Sequence, residues 1–117
     1  MGIDLKVLAS HFRERRGELL ATATLRLDRD GRLLAQLASD AEPCLVQALT
    51  PGLKVGHYED DGLRWEEVDR QGKLLTFTTP ADLRRLRVPD DLSQWNRAVL
   101  AFLLALPPDS RIVLYWC

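Results

Sequence analysis

Hydrophobic residues recur along this chain in two rhythms, and each predicts a different element. Residues 3–7 read Ile-Asp-Leu-Lys-Val, a period of two that predicts a first strand. Residues 18–28 alternate again, with Ala21, Ala23, Leu25 and Leu27 on one face and Thr22, Thr24 and Arg26 on the other. This predicts a second strand, and its short link to the first predicts a hairpin. Leu33, Leu34 and Leu37 then fall at helical spacing, with Asp30 placed to cap. Residues 43–50 read as extended or irregular, and Pro51-Gly52 and Asp60-Asp61-Gly62 as turns. Residues 63–68 and 74–78 flank Asp69-Arg70-Gln71-Gly72, which predicts another hairpin.

The helix signals come late. Thr79-Pro80-Ala81-Asp82 combines a capping hydroxyl, a proline suited to the first helical position and an acid facing the positive end of the dipole. That helix is expected to end near Arg87, because Pro89 restricts the residue before it. Arg85 and Arg87 would then complement its C-terminal dipole. A last helix should start at Asp90 or Asp91 and stop at Pro107-Pro108. Its segment 98–106 is apolar on every side, which predicts burial all round. Residues 111–116 form a strand with no polar residue to alternate, which predicts cover on both faces. The expected fold is therefore a single small α+β domain over residues 1–117. The C-terminal strand lies inside a mixed or antiparallel sheet beside the first strand, and a buried C-terminal helix covers one face.

Size and charge narrow the classes. A chain of 117 residues, 46% hydrophobic and 28% charged, can bury a core without metal or disulfide help. A net charge of −1 implies no long-range positive field and argues against double-stranded DNA as a partner. The apolar run is too short to span a bilayer, and the N-terminus carries no secretory pattern. No membrane association is expected, and the cytoplasm is the expected location. Cys44 and Cys117 match no disulfide framework or zinc signature.

The ends of the chain carry a resemblance. Met1-Gly2-Ile3-Asp4-Leu5 opens it, Asn96-Arg97-Ala98-Val99 starts the last helix, Leu106-Pro107-Pro108 closes that helix, and Leu114-Tyr115-Trp116 forms the last strand. Thr24 to Arg29 and Ala81-Asp82-Leu83 add to the likeness. In these segments the chain resembles an uncharacterised family of short bacterial and phage proteins. Members end in His after Tyr-Trp, where this chain has Cys117. The resemblance implies an intracellular protein that travels with phages, and hence a setting of phage–host conflict. It implies no activity.

Candidate chemistry is sparse. His11 and His57 are the two histidines, and neither forms a local nucleophile or zinc pattern with Cys44 or Cys117. No catalytic residue, metal ligand or cofactor is assigned. Glycine-rich phosphate loops are absent. Asp4, on a central strand, needs a cationic partner, and Arg97 or Arg111 is expected. Arg97 sits in the first turns of a helix, where the dipole disfavours a cation, so it needs Asp4, Asp90, Asp91 or a bound anion. Arg13, Arg15 and Arg16 crowd one loop without a structural reason. The predicted binding residues are therefore Arg13, Arg15, Arg16, Trp95, Asn96 and Arg97.

Three functions remain open on the sequence. The leading expectation is a non-enzymatic binding protein that engages a protein partner. The first alternative is a protein that holds an anionic small molecule such as a nucleotide near Trp95, Asn96 and Arg97. The second is a metal-dependent hydrolase or nuclease using the acids between Glu59 and Asp69.

Overall fold

A computed structural model of the chain describes residues 4–10 and 14–117. Strand β1 (Leu5–Ser10) is an inner strand, and all six of its residues are buried. It pairs antiparallel with β8 (Arg111–Trp116), Leu5 opposite Trp116 and Ser10 opposite Arg111. This is the predicted pairing of the two ends. The predicted start of the first strand at Ile3 lies outside the described residues. With β3 (Ala23–Arg26), β7 (Thr76–Thr78) and β4 (Gln47–Ala48), these strands form an antiparallel sheet in the order β3-β1-β8-β7-β4.

A second sheet has the order β2-β5-β6. Its strands are β2 (Glu18–Leu20), β5 (Lys54–Glu59) and β6 (Gly62–Glu66), with β2 parallel and β6 antiparallel to β5. The predicted single strand over residues 18–28 is thus two strands in two sheets. The break falls between neighbours: Ala21 N–H donates to Gly56 O at 2.8 Å, whereas Thr22 N–H donates to Ala9 O at 2.8 Å. The side-chain alternation is unbroken across this point, so the pattern marks no boundary. Only the change of backbone partner divides the strand.

The predicted hairpin around residues 69–72 is reduced to a turn. Asp69 Oδ1 accepts from Gln71 N–H at 2.8 Å and from Lys73 N–H at 3.1 Å, and a lone bridge joins Val68 to Leu74. The true hairpin joins β5 to β6 through Asp60-Asp61, while β7 leaves to pair with β8.

Three α-helices complete the described residues. Asp30 caps α1 (Gly31–Leu34) by accepting from Arg32 N–H, as predicted, and a 3-10 turn over Ala35–Leu37 extends it. Thr79 caps α2 (Pro80–Leu83), with Pro80 in the first turn. This helix ends at Leu83 rather than near Arg87, so Arg85 and Arg87 follow it instead of forming its last turn. Helix α3 (Gln94–Leu104) begins after Ser93, whose hydroxyl accepts from Asn96 N–H at 3.1 Å, and not at Asp90 or Asp91.

The layers follow from strand alternation. Leu5, Val7, Ala9, Ile112 and Leu114 pack with Leu34, Leu37, Val99 and Leu103 on the helical side. Leu8, Val113 and Tyr115 pack with Leu19, Val55 and Leu75 on the side of the three-stranded sheet. The order is helices, five-stranded sheet, three-stranded sheet. This explains why β8 is apolar on both faces. It also corrects the expectation for residues 98–106. Helix α3 is an outer layer that buries Asn96, Val99, Leu100 and Leu103 and leaves Ala98, Ala101, Phe102 and Ala105 exposed. The radius of gyration is 13.4 Å, close to the ~13 Å expected of a compact domain of this length. Among the described residues, no helix is long and apolar enough to cross a membrane.

Candidate functional site

The three-stranded sheet presents two faces of opposite character. Its inner face, toward β1 and β8, carries a polar network. His57 is wholly buried, and its Nε2 lies 2.8 Å from Glu66 Oε2. Its Nδ1 lies 3.7 Å from Glu59 Oε1 and has no hydrogen-bond partner among the described residues. Glu59 accepts from Lys6 Nζ at 2.8 Å, with the Arg70 guanidinium 3.6 Å away. Tyr115 packs against both: its ring centroid is 4.9 Å from that of His57 and 4.9 Å from Lys6 Nζ. The Lys6 ammonium holds the Glu59 carboxyl below its ordinary range. Burial, reinforced by the Glu66 carboxylate, pushes the Tyr115 phenol up to about 12.

This network spends its charges on joining the layers. Four of the acids named for hydrolysis have structural partners, and two of them, Glu59 and Glu66, flank the same imidazole. Glu59 binds Lys6, Glu66 meets His57, Asp61 pairs with Arg64 at 2.7 Å, and Asp69 caps its own turn. Among the described residues, no three His, Cys, Asp or Glu side chains are grouped to hold a metal ion. Cys44 and Cys117 are free thiols.

The outer face is apolar. In register, Gly56 faces Trp65 and Tyr58 faces Leu63, so Tyr58, Leu63 and Trp65 share one side of the hairpin. They are 65%, 42% and 40% exposed. Gly56 is required beneath the indole, because a Cβ there would lie 2.7 Å from the Trp65 ring. Strand β6 pairs with β5 alone and forms one edge of the sheet. Contiguous exposed aromatic surface of this kind marks interaction sites rather than ordinary exposure.

One end of this face gathers three cations, with Glu18 in register beside one of them, Lys54. Arg15 and Glu18 close a tight turn over Arg16 and Gly17, both at positive φ (54° and 75°). This is the primed geometry that matches strand twist, and glycine suits its second position. Lys54 N–H donates to Gly17 O at 2.8 Å, which brings Lys54 to the same end. Among the described residues, Arg15, Arg16 and Lys54 make no ion pair. Asp60 and Asp61 occupy the opposite end, at the β5–β6 turn.

The remaining predicted binding residues form a clasp. Asn96, buried on α3, accepts from Asp28 N–H at 2.7 Å and donates to Asp28 O at 3.0 Å. Trp95 Nε1 donates to Arg26 O at 2.6 Å. Arg97 donates to the carbonyls of Leu92, at 3.0 Å, and Asp90. The cation is offset by backbone oxygens, not by the expected carboxylates. Asp4 pairs with Arg29 at 2.6 Å and Arg26 at 3.5 Å, and Arg111 pairs with Glu14 at 3.2 Å, so neither expected partner of Asp4 reaches it. The clasp is on the helical side of the five-stranded sheet, whereas Arg15 and Arg16 lead into β2 of the other sheet. The two predicted groups therefore do not make one site. Arg13 and His11 lie outside the described residues.

Sequence reasoning missed the outer patch. Tyr58, Leu63 and Trp65 share a face only once β5 and β6 are recognised as the hairpin. The available signal was Asp60-Asp61-Gly62 between two aromatic-bearing runs. The fold and this site define a three-layer α+β domain with an exposed aromatic sheet face and a cationic end. Comparison with protein-family models, curated proteins and solved structures finds no match to this chain.

Proposed function

We propose that this is a non-enzymatic binding domain that engages a protein partner through the outer face of its three-stranded sheet. The observation that carries this reading is the shared exposure of Tyr58, Leu63 and Trp65 on one side of the hairpin, with Gly56 leaving room for the indole. Trp and Tyr are the side chains that most often dominate interface energetics. The partner is a folded or extended polypeptide bearing apolar residues flanked by acids. The acids answer Arg15, Arg16 and Lys54, which make no ion pair among the described residues. The setting proposed from the resemblance of the chain ends is cytoplasmic phage–host conflict.

The experiment compares two exposed aromatics on opposite sides of the molecule. Tagged wild type, a Tyr58→Ala/Trp65→Ala variant and Phe102→Ala are used to capture partners from infected and uninfected cells. A captured protein is then purified and titrated. The Trp65 variant should lose about 2 kcal/mol or more of binding, with its melting temperature held. Phe102→Ala should bind as wild type. Replacing Arg15, Arg16 and Lys54 by Glu should slow association and weaken its salt dependence. Equal affinity of the aromatic double variant and wild type would remove the reading.

A further inference from the structure

We infer that a recess on the helical side of the molecule, between α1 and the segment after α2, binds the phosphate of a small phosphomonoester. The cavity holds about 200 Å³ and is rimmed by Arg32, Arg85 and Arg87. Its backbone is pinned. Gln36 Nε2 donates to Arg87 O at 2.8 Å, and Gln36 Oε1 accepts from Arg87 N–H at 2.8 Å. The same amide nitrogen donates to Arg32 O at 3.0 Å, so one side chain ties both walls together.

The charges of these arginines are not equally satisfied. The Arg32 guanidinium meets Asp30 at 3.1 Å and Asp91 at 2.8 Å. Arg84, next to the cavity segment, turns away to donate to Leu104 O at 3.4 Å. Arg85 and Arg87 make no ion pair or side-chain hydrogen bond among the described residues. They follow the end of α2 at Leu83, where the helix dipole favours a cation but supplies no carboxylate to neutralise it. Glu42 is the one acid in the lining, and it pairs with neither. Two exposed guanidiniums without an ion pair among the described residues thus line one recess.

The shape selects the anion. A phosphomonoester dianion balances two cations, and its tetrahedral oxygens match the forked donors of arginine. A dicarboxylate such as succinate carries the same charge, but on two planar ends rather than one tetrahedral group. Pro43 and buried Leu45 give an apolar wall for the organic part. The volume is below the roughly 300 Å³ at which sites for drug-sized ligands begin. The body is therefore a few carbons. This site is separate from the outer face of the three-stranded sheet, and either could fail without the other.

The test is calorimetric titration of the full chain with glycerol 3-phosphate, inorganic phosphate and succinate. Glycerol 3-phosphate should bind wild type with a Kd of about 1 mM or below, and succinate roughly tenfold more weakly. Arg85→Gln/Arg87→Gln should weaken the phosphate ester at least about tenfold, while Arg15→Gln/Arg16→Gln leaves it unchanged. Arg87→Lys, which keeps charge but loses the fork, should fall between and provides a second, milder variant. Gln36→Ala should also weaken binding, with the fold verified by circular dichroism. Absence of binding to wild type by about 10 mM, equal binding by the Arg85/Arg87 variant, or succinate binding as tightly as the phosphate ester would each overturn the inference.

Discussion

Lys6 Nζ stands 2.8 Å from Glu59 Oε1, and this pair spans the gap between the two sheets. Both side chains are largely buried, at 8% and 15% exposure. Lys6 belongs to β1, the most buried strand, at a position where alternation points it away from the helices. It is tolerated because Glu59 and the face of Tyr115 replace its water. An ion pair in such a place adds little net stability over an apolar pair, but it selects one docking of sheet on sheet. Replacing Lys6 by Met alone should cost roughly 3–5 kcal/mol, because Glu59 is then left without its closest cation. The double variant Lys6→Met/Glu59→Leu should recover much of that loss. Urea titrations of the four proteins measure the coupling, and additive losses would show that the pair does not act as a unit.

Acid should weaken the same joint. The folded pKa of Glu59 is lowered from its ordinary 4.5, chiefly by the Lys6 hydrogen bond. Its contribution to stability is therefore present above pH 4.5 and is lost as pH falls through the lowered folded value. Asp4 acts in the same direction through Arg29. Wild type should lose urea resistance below about pH 4.5. Glu59→Gln should be weaker at neutral pH and show a flatter acid limb. Identical acid limbs in the two proteins would place the pH dependence elsewhere.

Helix α3 has one structural face. Leu103→Ala should cost about 2–5 kcal/mol, since Leu103 is buried against the five-stranded sheet. Phe102 is 42% exposed one residue earlier, and Phe102→Ala should cost less than about 1 kcal/mol. Denaturant midpoints of the two variants report the difference directly.

The clasp between α3 and the segment before α1 should be worth measuring at Asn96. Removing its amide leaves Asp28 N–H and O without their side-chain partner. Asn96→Ala should cost about 1–3 kcal/mol and should speed amide exchange at Asp28. An unchanged exchange rate would mean that the helix is held by apolar packing alone.

Strand β8 pairs with β1 on one side and β7 on the other. Deleting residues 112–117 exposes both neighbours as open edges and should leave an insoluble or unfolded chain. A soluble truncation with a cooperative melt would contradict the central position of β8.

Much of the local structure was legible from residue types alone. The caps Asp30 and Thr79 act within a few residues, so sequence spacing is enough to find them. The apolar run of β8 announced burial on both faces, and nothing but a central strand offers that. Three limits also have one cause. The division of residues 18–28, the true hairpin at Asp60-Asp61 and the exposed side of α3 depend on which segments meet in the fold, whereas Arg97 is met by carbonyls of the segment just before its own helix.

Alternation assigns side chains to a face but does not say which sheet takes the backbone. Ala21 and Thr22 keep one rhythm while donating to different strands. Apolar composition on α3 set no limit to burial, because a helix in an outer layer has a neighbour on one side only. Tyr58 and Trp65 became a surface only when β5 and β6 paired, and Arg85 and Arg87 came to rim a recess only when α2 ended at Leu83. Short-range capping and periodicity were determined by the chain itself. The choice of partner among several compatible strands, and with it both candidate sites, was decided by packing between layers, whose energy is summed over residues far apart in sequence.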